Sequence, residues 1–542
     1  MIRHGGNGET PFLVGDATTN GTSAAITAGT GFTILPTQAY LTRHTQPGIS
    51  ILTNIAPPEN PATPPENPAT PPEIVHSVSG SDVKNQFLDN EEFIRRVGRQ
   101  LGGETLFNAE GGFTWSLPGE KALGGSLGDN VILQELIRLD HSMADAYGAL
   151  TALADNSVNG EGVDGAEESE SDEGEESSIA NLRETFKRIQ TQTGTNPALV
   201  YILSQPDYLE LILITPDDQF RRHVIPTATR EELMRTVSQF RRGVLNQRRR
   251  TDYVQPAQQL YEWMIAPLAS TLDELAVDTL IFAMGEGLRH VPLAALYDGE
   301  QFLIEQYSLG QIPSLSLTNS DYQSLQDANL LIMGASEFQQ LDPLPGVAKE
   351  ASLLSQVIPS EAHLNEAFTY QNLADQSRER DFDVVHLATH ADFNAGRLDD
   401  SYIQLWGDEQ ISPQGLRQLR WYDEPQVELL VLSACETALG DVNAELGFAG
   451  LAVQAGVKSA LASLWQVSDR GTMALMGEFY RHLTDPEVTI KAEALRRAQL
   501  ALIQGNQLSS AGDAIAGLDD IQRANFRHPF YWSSFMLVGS PW

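Results

Sequence analysis

From Ile179 onward the chain alternates short, almost wholly apolar runs with stretches of helical periodicity, and this alternation constrains the fold more than any other feature. The runs are ALVYIL (198–203), LELILIT (209–215), TLIFAM (279–284), ANLLIMG (328–334), DVVHLAT (383–389), LLVLSA (429–434), SALASL (459–464) and a final run at 534–538. A strand with one wet face alternates apolar and polar residues; an unbroken apolar run is covered on both faces. Helical spacing fills the intervals at 181–191, 229–243, 256–275, 347–357, 446–455, 469–483 and 489–504. Strands alternating with helices predict an α/β architecture with a mainly parallel sheet between helical layers.

The first 178 residues read differently. Residues 1–55 are rich in Gly, Thr and Asn, with short β-prone runs, and form a small β fragment on this reading. Residues 56–73 carry the heptad PPENPAT twice and the start of a third copy. Proline this dense favours extended polyproline II, so the stretch reads as a semi-rigid spacer, with a proline-recognition ligand as the sharper alternative. Residues 74–154 form a small mixed region, with a helix expected at 131–150. Residues 155–178 read as an acidic linker with nine carboxylates between Glu161 and Glu176, too charged to bury a core.

Lys and Arg total 35 and Asp and Glu 72, a formal charge of −37. That excess argues against nucleic acid or an anionic membrane surface as the main partner. No apolar run reaches the roughly 18 residues of a membrane span, and the N-terminus lacks the apolar core of a signal peptide. A cytosolic protein without an integral membrane segment is expected. The single cysteine, Cys435, leaves no intramolecular disulfide and no multi-cysteine zinc site.

Two patterns carry chemistry. His386-Leu387-Ala388-Thr389-His390 closes the run from 383, and Ser433-Ala434-Cys435-Glu436-Thr437 closes the run from 429. Each sets a reactive side chain beyond the C-terminal end of an expected parallel strand, the edge where open α/β sheets build ligand sites. If those strands are neighbours, His390 and Cys435 face each other. A free thiol has a pKa near 8.5 and needs a base; an imidazole can take its proton and return it to the leaving amine. A helix starting just after Cys435 would favour the thiolate through its dipole. The backbone N–H groups of Cys435 and Ala391 are candidates for an oxyanion hole. The bland alternative makes Cys435 a packed core residue. His386 reads as a buried structural residue. A metal shared by His386 and His390 is disfavoured, since four residues of strand separate them by about 13 Å. There is no HExxH, no GxSxG elbow and no phosphate loop. No metal or other cofactor is expected.

VVHLATHADF and LLVLSACETALGD resemble the histidine and cysteine motifs of the CHAT domain, a family of the caspase-like peptidase clan that includes separases. GLRHVPLAAL (287–296), LPGVAKEASLL (344–354), GLAVQAGVKSALASLWQVSD (450–469), KAEALRRAQLALI (491–503), HPFYWSSFMLVGS (528–540) and the upstream 181–203 extend the resemblance over roughly 181–542. It implies a caspase-like three-layer sandwich at 326–542 with a Cys435–His390 dyad. It also implies a non-catalytic α/β companion half at 179–325, and Ala391 with Cys435 as oxyanion-hole donors. Ala391 stands where caspases commonly have glycine, which leaves the backbone N–H in place.

The implied activity is a cysteine endopeptidase acting on protein or peptide substrates, with an activating protein partner as a further expectation. Asp392, Glu436 and Asp441 are candidates to line a pocket for a basic side chain, against a reading as solvated loop charge. Asp383 precedes its strand and lies too far away to orient His390, a task left to a backbone carbonyl. HGGNGETPFLVGDATTNGT resembles the tail of a haemagglutinin-type surface domain, which would imply a surface origin instead of the cytosol. Two alternatives stand beside the peptidase: a catalytically silent pseudo-protease that binds peptides or proteins, and a non-proteolytic thiol hydrolase or transferase.

Overall fold

All eight apolar runs are strands of one sheet, and the last, at the C-terminus, is its seam. The computed structural model describes residues 175–542 apart from 216–219, 250, 286, 316–317, 380–381, 394–400, 420, 422–425, 434–435, 438–455, 466–468 and 506–525. It also describes five short strands nearer the N-terminus. The helices expected at 131–150 and 446–455 and the proline spacer at 56–73 lie outside the described residues. The chain divides into two units, 1–86 and 87–542. In the first, Thr27–Ala28 pairs antiparallel with Phe32–Thr33. In the second, Glu104–Phe107, Gly112–Ser116 and Leu123–Ser126 form an antiparallel meander.

The main body is built on an 11-stranded sheet. Its strands are β1 (Pro197–Ser204), β2 (Leu209–Ile214), β3 (Phe220–Ile225), β4 (Thr279–Met284), β5 (Ser308–Ile312), β6 (Leu330–Gly334), β7 (Ser360–Leu364) and β8 (Val384–Ala388). A second sheet of four strands holds β9 (Ala391–Phe393), β10 (Tyr402–Gln404), β11 (Gln410–Ile411) and β13 (Glu436–Thr437). The large sheet is completed by β12 (Leu429–Leu432), β14 (Ser459–Ser463) and β15 (Phe535–Gly539). Its order is β7-β6-β8-β12-β14-β15-β5-β4-β1-β2-β3. Pairing is parallel except at β14–β15 and in the β1–β2–β3 meander. This is the expected mainly parallel α/β sheet. The strands before residue 326 join those after it through β5 and β15, in register at Gln311↔Val538.

The unbroken apolar runs have the burial they predict. β1, β2, β4, β6, β8, β12 and β14 are buried along their whole length. The side chains of β6, β8, β12 and β14 divide by parity between two cores, because successive residues of a strand point to opposite faces, whereas β1, β2 and β4 contribute to one core only. Leu330, Ile332, Val384, Leu429 and Val431 enter one core, shared with Met476, Phe479 and Tyr480 of the helix Asp469–Leu483. Leu331, Met333, Val385, Leu387, Leu430 and Leu432 enter the other, with Phe368, Leu373 and Trp421. The sheet edges are polar and thin. β7 (SEAHL) is only half buried, and β3 (FRRHVI) closes the opposite side. The acidic stretch expected to be linker up to residue 178 is helical from Glu175, in the helix Glu175–Thr193.

At the N-terminal ends of the strands lies a cluster of buried charge. Glu428 precedes β12, Lys458 precedes β14, and Lys491 opens the helix Lys491–Gln504; they are 1%, 8% and 2% exposed. Lys458 Nζ contacts Glu428 Oε1 at 2.5 Å, and Lys491 Nζ is 3.7 Å from Glu428 Oε2. Burial brings the Lys491 ammonium down from 10.5 to about 8, with the Lys458 charge adding to the fall and Glu428 opposing it. Between those values the unfolded chain holds a proton that the folded chain has lost. Stability from this group is therefore fully present above about 10.5 and is lost as pH falls through about 8, a change of up to about 3 kcal/mol. Chemical denaturation of the wild type should show stability rising from pH 8 to 10, and Lys491→Met should remove most of that slope. An equal slope in the variant would refute the account.

Candidate active site

β8 and β12 are adjacent and parallel, with Val384↔Leu429 through Leu387↔Leu432 in register. Both chains then leave the large sheet and enter the small one. The first crosses at Thr389-His390 into β9; the second leaves the large sheet after Ser433 and is in β13 from Glu436. There they are parallel neighbours again, at Asp392↔Glu436 and Phe393↔Thr437. His390 therefore sits at one crossing, and the residues that flank Cys435, Ser433 and Glu436, mark the other. Cys435 and Asp441 lie outside the described residues. Glu436 and Thr437 are extended, so the helix expected directly after Cys435 is replaced there by a strand of the small sheet. Hydrogen bonding to β9 claims that backbone, so no helix dipole acts at these two residues.

The His390 crossing is held from several sides. Ala335 N–H donates to Ala388 O at 3.1 Å, and Ser433 N–H donates to Leu387 O at 3.1 Å. Thr389 Oγ1 donates to Gln404 O at 2.6 Å, and Gln404 N–H donates to His390 O at 2.8 Å. The Gln404 amide is itself buried, donating to the carbonyls of Leu405, Gly407 and Glu409. The His390–Gln404 bond fixes the phase of the antiparallel ladder. The next pair, Ala391↔Ile403, is then of the non-hydrogen-bonded kind, and the Ala391 N–H points away from β10 toward β13.

The His390 ring is oriented by two contacts. Its Nε2 lies 2.8 Å from the Asp342 carbonyl oxygen, and the Phe338 ring meets it edge-on at 4.7 Å between centroids. A carbonyl can only accept, so Nε2 carries the proton and donates. In the neutral ring the lone pair is then on Nδ1, the nitrogen free to act as base. A backbone carbonyl was expected to orient His390, and Asp342 supplies it. Asp383 is at the opposite end of the strand, where its carboxylate accepts from Asn329 N–H and Gln323 Nε2. Asp342 and Phe338 lie on the segment between β6 and the helix Val347–Val357, which sequence spacing could not connect to His390.

His386 is fully buried, as expected of a structural residue. Its Nδ1 is 3.0 Å from the Tyr480 hydroxyl, and its Nε2 is 3.4 Å from Glu350 Oε1. Burial and the nearby Glu350 charge hold the Tyr480 phenol well above its usual pKa, so it stays protonated. Asp392 is half buried and stands opposite Tyr402 in the ladder. Tyr402 is likewise raised, by burial and then by the Asp392 charge. Among the described residues no group of His, Cys, Asp and Glu could hold a metal ion, and no helix is long and apolar enough to cross a membrane.

The family profile described as the CHAT domain matches residues 254–540, more than half of the chain. The chain belongs to the CHAT domain family. A search among curated proteins gave no significant match. Among solved structures, the CHAT chain is similar to separase of Saccharomyces cerevisiae in its complex with securin. The TM-score is 0.41 at 11% identity, covering 68% of this chain and 31% of that one. It is also similar to gingipain R, an Arg-specific cysteine proteinase, with a TM-score of 0.33 at 12% identity, covering 53% of this chain and 67% of that one. A complex of the Porphyromonas gingivalis RgpB pro- and mature domains gives a TM-score of 0.33 at 12% identity, covering 53% and 69%. The CHAT chain thus spans about a third of the length of the separase chain it matches.

Close backbone approach sets the position of the His390 strand in this CHAT chain. A Cβ added at Gly334 would lie 2.5 Å from Ala388 O and 2.9 Å from Val347 Cγ1. Neither the strand backbone nor the packed valine can give way freely. Gly334→Ala should therefore cost about 1–3 kcal/mol of stability in denaturant unfolding. It should also displace the strand end two residues before His390. Wild-type stability in the variant would show that β6 and β8 are not in this contact.

Proposed function

We propose that this CHAT protein is a cysteine endopeptidase in which Cys435 is the nucleophile and His390 the general base and acid. The observation that carries the reading is the pair of parallel chains that cross together from the large sheet to the small one. His390 is at one crossing, and Ser433 and Glu436 bracket Cys435 at the other. Membership in the CHAT family supports it as well.

In this reading His390 Nδ1 takes the thiol proton, while Nε2–H stays on the Asp342 carbonyl. The thiolate adds to the scissile carbonyl, and the oxyanion is met by the N–H groups of Ala391 and Cys435. The imidazolium then protonates the leaving amine, and water, deprotonated by the same ring, releases the acyl group from sulfur. Asp392 stands in register with Glu436 on the small sheet, and together with Asp441 they form a pocket for a basic side chain of the substrate. Residues 179–325 serve as the non-catalytic companion of a catalytic half at 326–542, and a protein partner controls activity.

Cys435→Ala and His390→Ala should each reduce cleavage of a peptide library by 10²–10⁴-fold or more, the usual scale of general-base and nucleophile loss. Cleaved products identified by mass spectrometry should carry Arg or Lys at the new C-terminus. Undiminished cleavage by either variant sinks the dyad. Peptide binding without cleavage, alike in wild type and both variants, would instead identify a silent binding module.

A further inference from the structure

Beneath the candidate site lies a set of buried polar groups that the proposed reaction does not use. Glu350, on the helix Val347–Val357, is 5% exposed, and His386 and Tyr480 are fully buried. Ser433 is 5% exposed, and its Oγ donates to Glu350 Oε2 at 3.3 Å. The other carboxylate oxygen faces His386 Nε2 at 3.4 Å, and His386 Nδ1 meets the Tyr480 hydroxyl at 3.0 Å. The chain thus buries a carboxylate against two polar side chains, where an apolar residue of the same volume would serve stability as well or better.

The identity of those two partners gives the carboxylate a purpose. Ser433 is two residues before Cys435 on one crossing chain. His386 is four residues before His390 on the other. Glu350 itself is eight residues after Asp342, whose carbonyl holds the His390 ring. The start of its helix is tied down separately, where Gly346 N–H donates to the Asp469 carboxylate at 3.2 Å. One side chain therefore joins the three segments that set the relative positions of nucleophile, base and ring-orienting carbonyl. An apolar residue could fill that space but could not fix the lateral register of two chain ends, because dispersion contacts are not directional.

We propose that Glu350 is a positioning residue of this site, holding the Cys435 chain through Ser433 and the His390 chain through His386. The proposal rests on the reading of Cys435 and His390 as a thiol–imidazole pair. It acts through the geometry of two contacts and not by charge: the Ser433 hydrogen bond, and the 3.4 Å approach of Oε1 to His386 Nε2, which is an ion-pair contact without a hydrogen bond. Glutamine can face its oxygen to His386 and its amide nitrogen to the Ser433 hydroxyl, which accepts as readily as it donates.

The test uses the single cysteine of the full-length chain. The pH dependence of iodoacetamide alkylation is followed in the wild type, His390→Ala, Glu350→Leu, Glu350→Gln and Ser433→Ala, with thermal unfolding measured alongside. The wild-type midpoint should lie below the free-thiol value of about 8.5. Glu350→Leu and Ser433→Ala should each move the midpoint upward by at least about one pH unit, toward that of His390→Ala, and Glu350→Gln should keep the wild-type midpoint. If Glu350→Leu does not fold, Ser433→Ala carries the test.

An unchanged midpoint in Ser433→Ala and in folded Glu350→Leu overturns the positioning role, even where the unfolding temperature falls. Equal shifts in Glu350→Gln and Glu350→Leu overturn it in favour of the carboxylate charge. A wild-type midpoint already equal to that of His390→Ala overturns the dyad itself and the proposal with it.

Discussion

The parallel pairing of Val384–Ala388 with Leu429–Leu432 is the constraint on which the rest depends. Parallel neighbours end on the same side of a sheet, so two chains that run in register must leave it side by side. Here both continue into a second, smaller sheet and pair again there. At the crossing between the sheets, side chains are released from one ladder before the chain enters the next. His390 occupies one such place, and the flanks of Cys435 define the other.

That geometry is expensive to hold, and the molecule holds it with polar groups buried at both ends of the same strands. At the C-terminal ends, Glu350, His386, Tyr480 and Ser433 form a chain of contacts under the crossings. At the N-terminal ends, Glu428 meets Lys458 and Lys491. Neither cluster is an efficient way to stabilise a core, because desolvation offsets much of the attraction within it. Both do what apolar packing cannot, which is to tie a particular helix to a particular strand end. The apolar residues between them, sorted by parity onto two faces, supply the bulk of the burial.

The strands legible in the sequence were the ones whose composition reflects burial on both faces. Those that escaped notice did so for physical reasons. Ser360–Leu364 and Phe220–Ile225 are edge strands, only partly covered, and so carry Glu, His and Arg. Ser308–Ile312 (SLGQI) is wholly buried, yet its composition is that of a loop; it is a strand because Thr279–Met284 and Phe535–Gly539 lie on either side of it. The two-residue strand Glu436–Thr437 is set by its partner Ala391–Phe393 and overrides the helix expected after Cys435. His390 was recognisable from its place after an apolar run, and His386 from its place inside one. Asp342, Phe338 and Glu350 were not, since each acts across more than thirty residues of sequence.

By itself the sequence determined the α/β class, the covered sheet and the two strand ends that His390 and Cys435 follow, because apolar runs and their termini are local properties of the chain. Tertiary structure decided which strands are neighbours and which ring nitrogen of His390 is left free. It also decided which buried carboxylate lies beneath both crossings. Those are matters of register and of contact between distant segments, and no periodicity within a single segment encodes them.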